Sequence, residues 1–106
     1  METKRIAVVS TDEVNVNDHF GMARAFLIFD VDDKLKFVEK RESEKLSAGN
    51  PNHPFDADKF NSVYEKIKDC SSVYVTRIGD GPARKLKELG IEPVVYNGAI
   101  SGIMGI

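Results

Sequence analysis

"SSVYVTRIGDGPARKLKELGIEPVVY", residues 71–96, decides the architecture. It opens on a β-branched run, SSVYVTRI (71–78), that reads as a strand. Two glycines follow, and GPARKLKELG (81–90) then reads as a helix, with Pro82 in its first turn and Gly90 as its C-terminal stop. IEPVVY (91–96) is a short second strand. Strand, helix and strand in so few residues make a parallel crossover, and such crossovers are right-handed. The chain must therefore build a sheet with at least one parallel pair.

The elements upstream fit onto that unit. RIAVVS (5–10) is a buried strand closed by Ser-Thr-Asp turn chemistry, and AFLIFDV (25–31) is apolar on both faces, as a central strand is. DDK (32–34) turns the chain, and LKFVEKRE (35–42) alternates and carries charge, which suits an edge strand. Residues 43–57, with Gly49, Asn50, Pro51, Asn52 and Pro54, read as a long loop. In DADKFNSVYEKIKD (56–69), Phe60, Val63, Tyr64 and Ile67 form one helical stripe, with Asp56 or Asp58 as N-cap. The first strand belongs beside the fourth and parallel to it. The expectation is one α/β domain over 1–106, a five-stranded mixed sheet of order 3-2-1-4-5 flanked by helices. The tail NGAISGIMGI (97–106) shows no assignable element.

Composition narrows the function. Of 106 residues, 42% are hydrophobic and 30% charged, a globular balance. Fifteen basic and seventeen acidic side chains give a net charge of −2, which argues against a general nucleic-acid binder. No apolar run approaches the roughly 20 residues of a membrane span, and METKRIAVVS is too short in its apolar part for a signal peptide, so a cytoplasmic location is expected. The single cysteine, Cys70, can neither close an internal disulfide nor supply the four thiolates of a resident iron–sulfur cluster. It reads as a small buried residue. No Ser-His-Asp arrangement, paired carboxylates or zinc spacing is present, so no hydrolytic enzyme is expected.

The sheet order brings two loops to one end. TDEVNVNDHFG (11–21) follows the first strand and RIGDG (77–81) the fourth, and open α/β sheets bind ligands beyond such carboxyl ends. His19 is the sharper candidate there, since imidazole is a common metal ligand. Phe20 anchors its loop in the core, Gly21 permits close approach, and Met22 offers a soft sulfur nearby. His53, in NPNHPF, is a further donor on a loop. In IGDGPARK, Gly79 and Gly81 allow positive φ and close approach, and the following helix directs free amides at the turn. Arg77 and Arg84 add positive charge. Plainer readings stand beside these: His19 as a loop residue capping a carbonyl, and the glycines as an ordinary strand-to-helix turn.

VNVNDHFGMARAFLIFDV (14–31) and CSSVYVTRIGDGPARKLKELGIEPVVY (70–96) together resemble the dinitrogenase iron–molybdenum cofactor biosynthesis family, the NifX-like domains. The likeness rests on the His-Phe-Gly element and on the run strand, Ile-Gly-x-Gly, helix, Leu-x-x-x-Gly-Ile-x-Pro. It implies a ribonuclease H-like fold without nuclease activity. It also implies binding or carriage of an iron–molybdenum cofactor precursor, or a related metal–sulfur cluster, with metal–cofactor donor or acceptor proteins as partners. His19 falls on the family's histidine, and Gly79 and Gly81 on its second glycine loop.

The first expectation is therefore a non-enzymatic carrier in which His19 ligates a transiently bound cluster, Met22 or His53 supplies a second donor, and Gly79–Arg84 holds negative charge. The second is a module for a phosphorylated or carboxylate small molecule at the same loops. The third is an interaction module whose exposed third strand pairs with a partner or a second copy; for the carrier itself a monomer or weak homodimer is expected.

Overall fold

The structure is a computed structural model and describes residues 3–20, 23–42 and 57–103. Of the loop expected over 43–57, all but Ala57 lies outside the described residues, as do the expected cap residue Asp56 and Gly21, Met22 and His53. The main sheet has five strands: β1 (Lys4–Val9), β3 (Ala25–Val31), β4 (Leu35–Glu42), β5 (Ser72–Val75) and β6 (Glu92–Val95). They lie in the order β4-β3-β1-β5-β6, which is the expected 3-2-1-4-5 with a short β2 (Asn15–Val16) inserted in the numbering. β1 is central. It runs antiparallel to β3, with Ala7 opposite Ile28, and parallel to β5, with Ala7 opposite Val73. β3 and β4 form the antiparallel hairpin, with an irregularity at Ile28/Phe29, and β5 and β6 the parallel pair.

Strand alternation makes two cores. Ala7, Val9, Phe26, Ile28, Val73 and Val75 face one way and are covered by Phe60, Val63 and Ile67 of α1 (Ala57–Ile67) and Leu86 of α2 (Asp80–Glu88). Both helices therefore pack on one face of the sheet, rather than one on each side. Asp58 falls inside the first turn of α1 and is not its cap. The other face, with Ile6, Val8, Leu27, Phe29 and Tyr74, is covered by Val16, Ile100 and Ile103. The Gly-rich tail supplies that cover: β7 (Gly98–Ala99) pairs with β2, and residues Ile100–Ile103 make a 3₁₀ turn. Tyr96 fastens it, its hydroxyl donating to the Ala99 carbonyl at 2.8 Å. A Cβ on Gly102 would sit 2.5 Å from that hydroxyl oxygen, so a side chain there would have to displace the Tyr96 hydroxyl.

The end of α2 explains why the crossover closes so tightly. Gly90 has φ +86°. Its N–H donates to the Lys87 carbonyl at 3.1 Å and the Ile91 N–H to the Leu86 carbonyl at 2.9 Å, a Schellman cap. Leu86 and Ile91 are both buried in the helix-side core, which locks the chain's entry into β6. No atom lies within 4 Å of where a Gly90 Cβ would be. Gly90→Ala is therefore expected to cost only the left-handed backbone penalty, about 1–2 kcal/mol in urea unfolding. An unchanged midpoint would contradict the cap.

At the amino end of β5, Asp69 joins distant elements. It accepts from Arg41 of β4 at 2.6 Å and from Arg5 of β1 at 3.0 Å, while Arg5 also pairs with Asp30 at 2.8 Å. The hydrogen bonds from Arg41, and then Arg5, hold the Asp69 carboxyl well below the usual carboxylate range against the opposing effect of burial. Cys70, next in sequence, is 5% exposed. Burial pushes its thiol up to about 12, so it carries no thiolate at neutral pH. Among the described residues, no helix is long and apolar enough to cross a membrane.

Candidate functional site

The loops after β1 and β5 meet at the carboxyl rim of the sheet. The Thr76 N–H donates to the Asp18 carbonyl at 3.0 Å and the Phe20 N–H to the Arg77 carbonyl at 2.9 Å. His19 and Arg77 are thus joined in an isolated parallel bridge, although distant in sequence. Phe20 explains why the loop returns to the sheet there. It is 1% exposed, with its ring centroid 6.2 Å from that of Phe26 and 6.4 Å from that of Phe60. Burying Phe20 leaves its neighbour outside: His19 is exposed, and its ring has no hydrogen-bond partner among the described residues. Its backbone N–H donates to the Asp18 carboxylate at 2.8 Å.

The preceding turn is wired by Asp12. Its Oδ1 accepts from the backbone N–H groups of Val14 and Asn15, each at 2.9 Å, and from the Ser10 hydroxyl at 3.1 Å. Those hydrogen bonds, Asn15 first, bring the Asp12 carboxyl down to about 2. The Thr11 N–H donates to the Asn17 side chain at 2.8 Å, and Glu13 takes φ +63° to complete the turn. The loop is held by its own polar groups on one side of Phe20 and by the sheet on the other.

The glycine turn differs from its expected form. Gly79 is the N-cap of α2 with φ −73° and ψ 159°, an extended conformation, and makes no side-chain cap. Gly81 lies inside the helix. Neither has positive φ, because the helix starts at Asp80 and Pro82 is already part of its first turn. A Cβ on Gly79 would meet only Pro82 Cδ, at an ordinary 3.6 Å. The first helical bond runs from the Ala83 N–H to the Gly79 carbonyl at 3.0 Å, so the amides of Gly79, Asp80 and Gly81 have no helical acceptor. Asp80 places a carboxylate in the same turn, which offsets part of the dipole's pull on an external anion. Arg77 and Arg84 are exposed and make no ion pair among the described residues.

A cleft adjoins the same loop. It has a volume of about 440 Å³, with Glu13 and Asp18 on the loop side, Arg24 and Lys40 on the hairpin side, and Val9 and Ala25 between them. Sequence reading did not find it, because its lining comes from four separate stretches that each look like ordinary charged surface. Among the described residues no group of three or more His, Cys, Asp or Glu side chains could hold a metal ion. His19 stands as one exposed nitrogen donor beside an arginine and a helix start.

This is a small α/β domain whose mixed sheet gathers its loops at one rim. The chain belongs to the dinitrogenase iron–molybdenum cofactor family, which matches residues 2–104. Its relatives include the FeMo cofactor biosynthesis protein NifB of Frankia alni, 34% identical over 94 residues that make up 88% of this chain and 18% of that protein. Another is Protein NifX of Azotobacter vinelandii, 30% identical over 94 residues, 85% of this chain and 54% of that protein. The chain thus spans less than a fifth of the first and about half of the second. Among solved structures, the crystal structure of PH0822 superposes with a TM-score of 0.68 at 27% identity, covering 94% of this chain and 86% of that one. A putative NifB protein from Thermotoga shares the fold, with a TM-score of 0.59 at 22% identity over 92% of this chain and 80% of that one.

Proposed function

We propose that the chain binds an iron–molybdenum cofactor precursor, or a related metal–sulfur cluster, as transient cargo and catalyses no reaction on it. The reading rests on one observation: an exposed imidazole, His19, fixed by its backbone beside Arg77 at the loop-bearing rim. A metal–sulfur cluster is anionic and carries its own sulfide, so a carrier needs few ligands. In this reading His19 ligates, Phe20 and Gly21 shape its loop, and Arg77, Arg84 and the amides at Gly79–Gly81 offset the cluster's charge. Met22 and His53 are the candidate second donors. Relatives named for FeMo cofactor biosynthesis support the cargo class. The strand order and its mixed directions support a ribonuclease H-like classification. Donor and acceptor proteins of the cofactor, in the cytoplasm, complete the proposal.

Anaerobic addition of a metal–sulfur cluster tests it. The wild-type chain is expected to take up visible absorption, and His19→Ala to bind at least about tenfold more weakly. The ring is exposed, so the same substitution is expected to leave thermal unfolding unchanged. Full absorption in His19→Ala would overturn the reading. Binding of inorganic phosphate without metal would favour an anion module instead, for which the unpaired amides at the start of α2 speak.

A further inference from the structure

We infer that β4 pairs with the β4 of a second copy of this chain, antiparallel and in one register, so that two sheets join into one. β4 is the outer strand of its sheet, and no described strand lies beyond it. An edge strand turns alternate N–H and C=O groups outward, and a further strand can satisfy them. Two large apolar side chains stand open in the middle of Leu35–Glu42: Phe37 is 56% and Val38 38% exposed. Phe37 is set there by Phe29, the ring centroids 5.6 Å apart and edge to face. Val38 has no partner residue in β3, because Ile28 stands opposite Glu39 and Phe29 opposite Phe37. Most of the other residues of the strand are charged, and those charges choose the partner.

The register follows from the face that each residue takes. Glu39 stands opposite Ile28 of the helix-side core, and Lys36 opposite Asp30, which alternation puts on the same face. Phe37 and Lys40 stand opposite Phe29 and Leu27, on the face that the tail covers. A two-fold axis perpendicular to the sheet keeps like face with like face. With that axis at Lys36 or at Lys40, the lysine meets its own copy. With the axis between Val38 and Glu39, Lys36 meets the partner's Arg41. With the axis between Phe37 and Val38, Lys36 meets the partner's Glu39 and Glu39 the partner's Lys36, while Phe37 meets the partner's Val38. Leu35 then lies along the stem of the partner's Lys40. Within β4, only this last register leaves no like charges opposed. Lysines on an edge strand ordinarily repel a second strand, and here they reject the wrong registers. The two charges are free to turn outward: Lys36 reaches Asp32 only at 3.8 Å, and Arg41, which Glu39 touches, is already held by Asp69 at 2.6 Å. A strand of unrelated sequence would have to match Lys36 and Glu39 by chance, whereas a second copy supplies both in inverse order. The axis reverses strand direction, so the loop-bearing rims point apart, and the pairing uses neither His19 nor Arg77.

Sedimentation of the wild-type chain without metal, between roughly 1 μM and 1 mM, tests the pairing. A monomer–dimer equilibrium is expected. Lys36→Glu sets carboxylate against carboxylate and Glu39→Lys ammonium against ammonium, each twice about the axis. Each is expected to weaken the dimer by at least about tenfold. The double variant Lys36→Glu with Glu39→Lys restores both pairs in reverse, and its dimer is expected to return to within about threefold of the wild type. A folding defect would not be repaired in that way. Both positions are exposed, so all three variants are expected to melt like the wild type at a concentration where each is monomeric. His19→Ala is expected to dimerise normally, so failure here is distinguishable from failure of the cluster reading. A monomer at every concentration would overturn the inference, whether another segment of the chain or a different protein takes the edge of β4. So would a dimer that neither single substitution weakens, or one that the double variant does not restore.

Discussion

Phe20→Ala is expected to destabilise the protein by about 3–5 kcal/mol. The ring is 1% exposed and lies between Phe26 of the sheet and Phe60 of α1, so its removal leaves a void bounded by two elements that cannot both relax into it. For a domain of this size each kcal/mol is worth about 4–8 °C, and the midpoint should fall by at least about 12 °C. Phe20→Leu, which keeps most of the volume, should lose under half as much. The neighbouring His19→Ala should lose almost nothing. Two adjacent residues with opposite outcomes test the central geometry directly: one side chain is the anchor, the other is held out at the rim. Calorimetric or circular-dichroism melting of the three variants reads it. A Phe20→Ala protein that melts like the wild type would mean that the loop is not pinned to the sheet, and that His19 has no fixed place.

The crossover was legible because its signals are local. Gly90 marks the helix end by its conformational freedom, and the apolar runs on either side are short and continuous. The hairpin was legible to the residue, 25–31 and 35–42, because its turn chemistry sits between two strands of clear pattern. β5 is shorter than its sequence run, ending at Val75 rather than 78. Beyond the Tyr96 N–H to Val75 carbonyl bond, residues 76–77 leave β6 and pair with 18–20 instead. Sequence pattern cannot reveal that exchange of partners, since both segments keep strand-like composition. Gly79 and Gly81 misled for a related reason. A glycine pair after a strand suggests a positive-φ turn, yet here the helix begins between them. His19 was legible as a residue type and its rim position followed from strand order. The cleft was not legible, because Arg24 and Lys40 acquire meaning only when β3 and β4 stand opposite the 10–18 loop.

The tail carries the second large effect. Ile100→Ala combined with Ile103→Ala is expected to cost about 4–8 kcal/mol, comparable with the whole stability of a domain this size. The two side chains are 5% and 3% exposed and pack with Val8, Leu27 and Tyr74 on the face that the helices leave open. Their spacing, i and i+3 in a 3₁₀ turn, puts both on one side, and is too short a pattern to stand out in a Gly-rich sequence. Without them half the sheet would face water, so the double variant should lose near-ultraviolet ellipticity and cooperative urea unfolding, while Ser101→Ala, at an exposed position between them, should do neither. The effect should reach the rim. The Ile100 N–H donates to the Val14 carbonyl at 2.8 Å, and β7 pairs with β2, so the tail supports the loop that ends in Asp18, His19 and Phe20. If the double variant unfolded at the wild-type midpoint, the second core would lie outside the cooperative unit. The loop bearing His19 would then be held by Phe20 and its bridge to Arg77 alone.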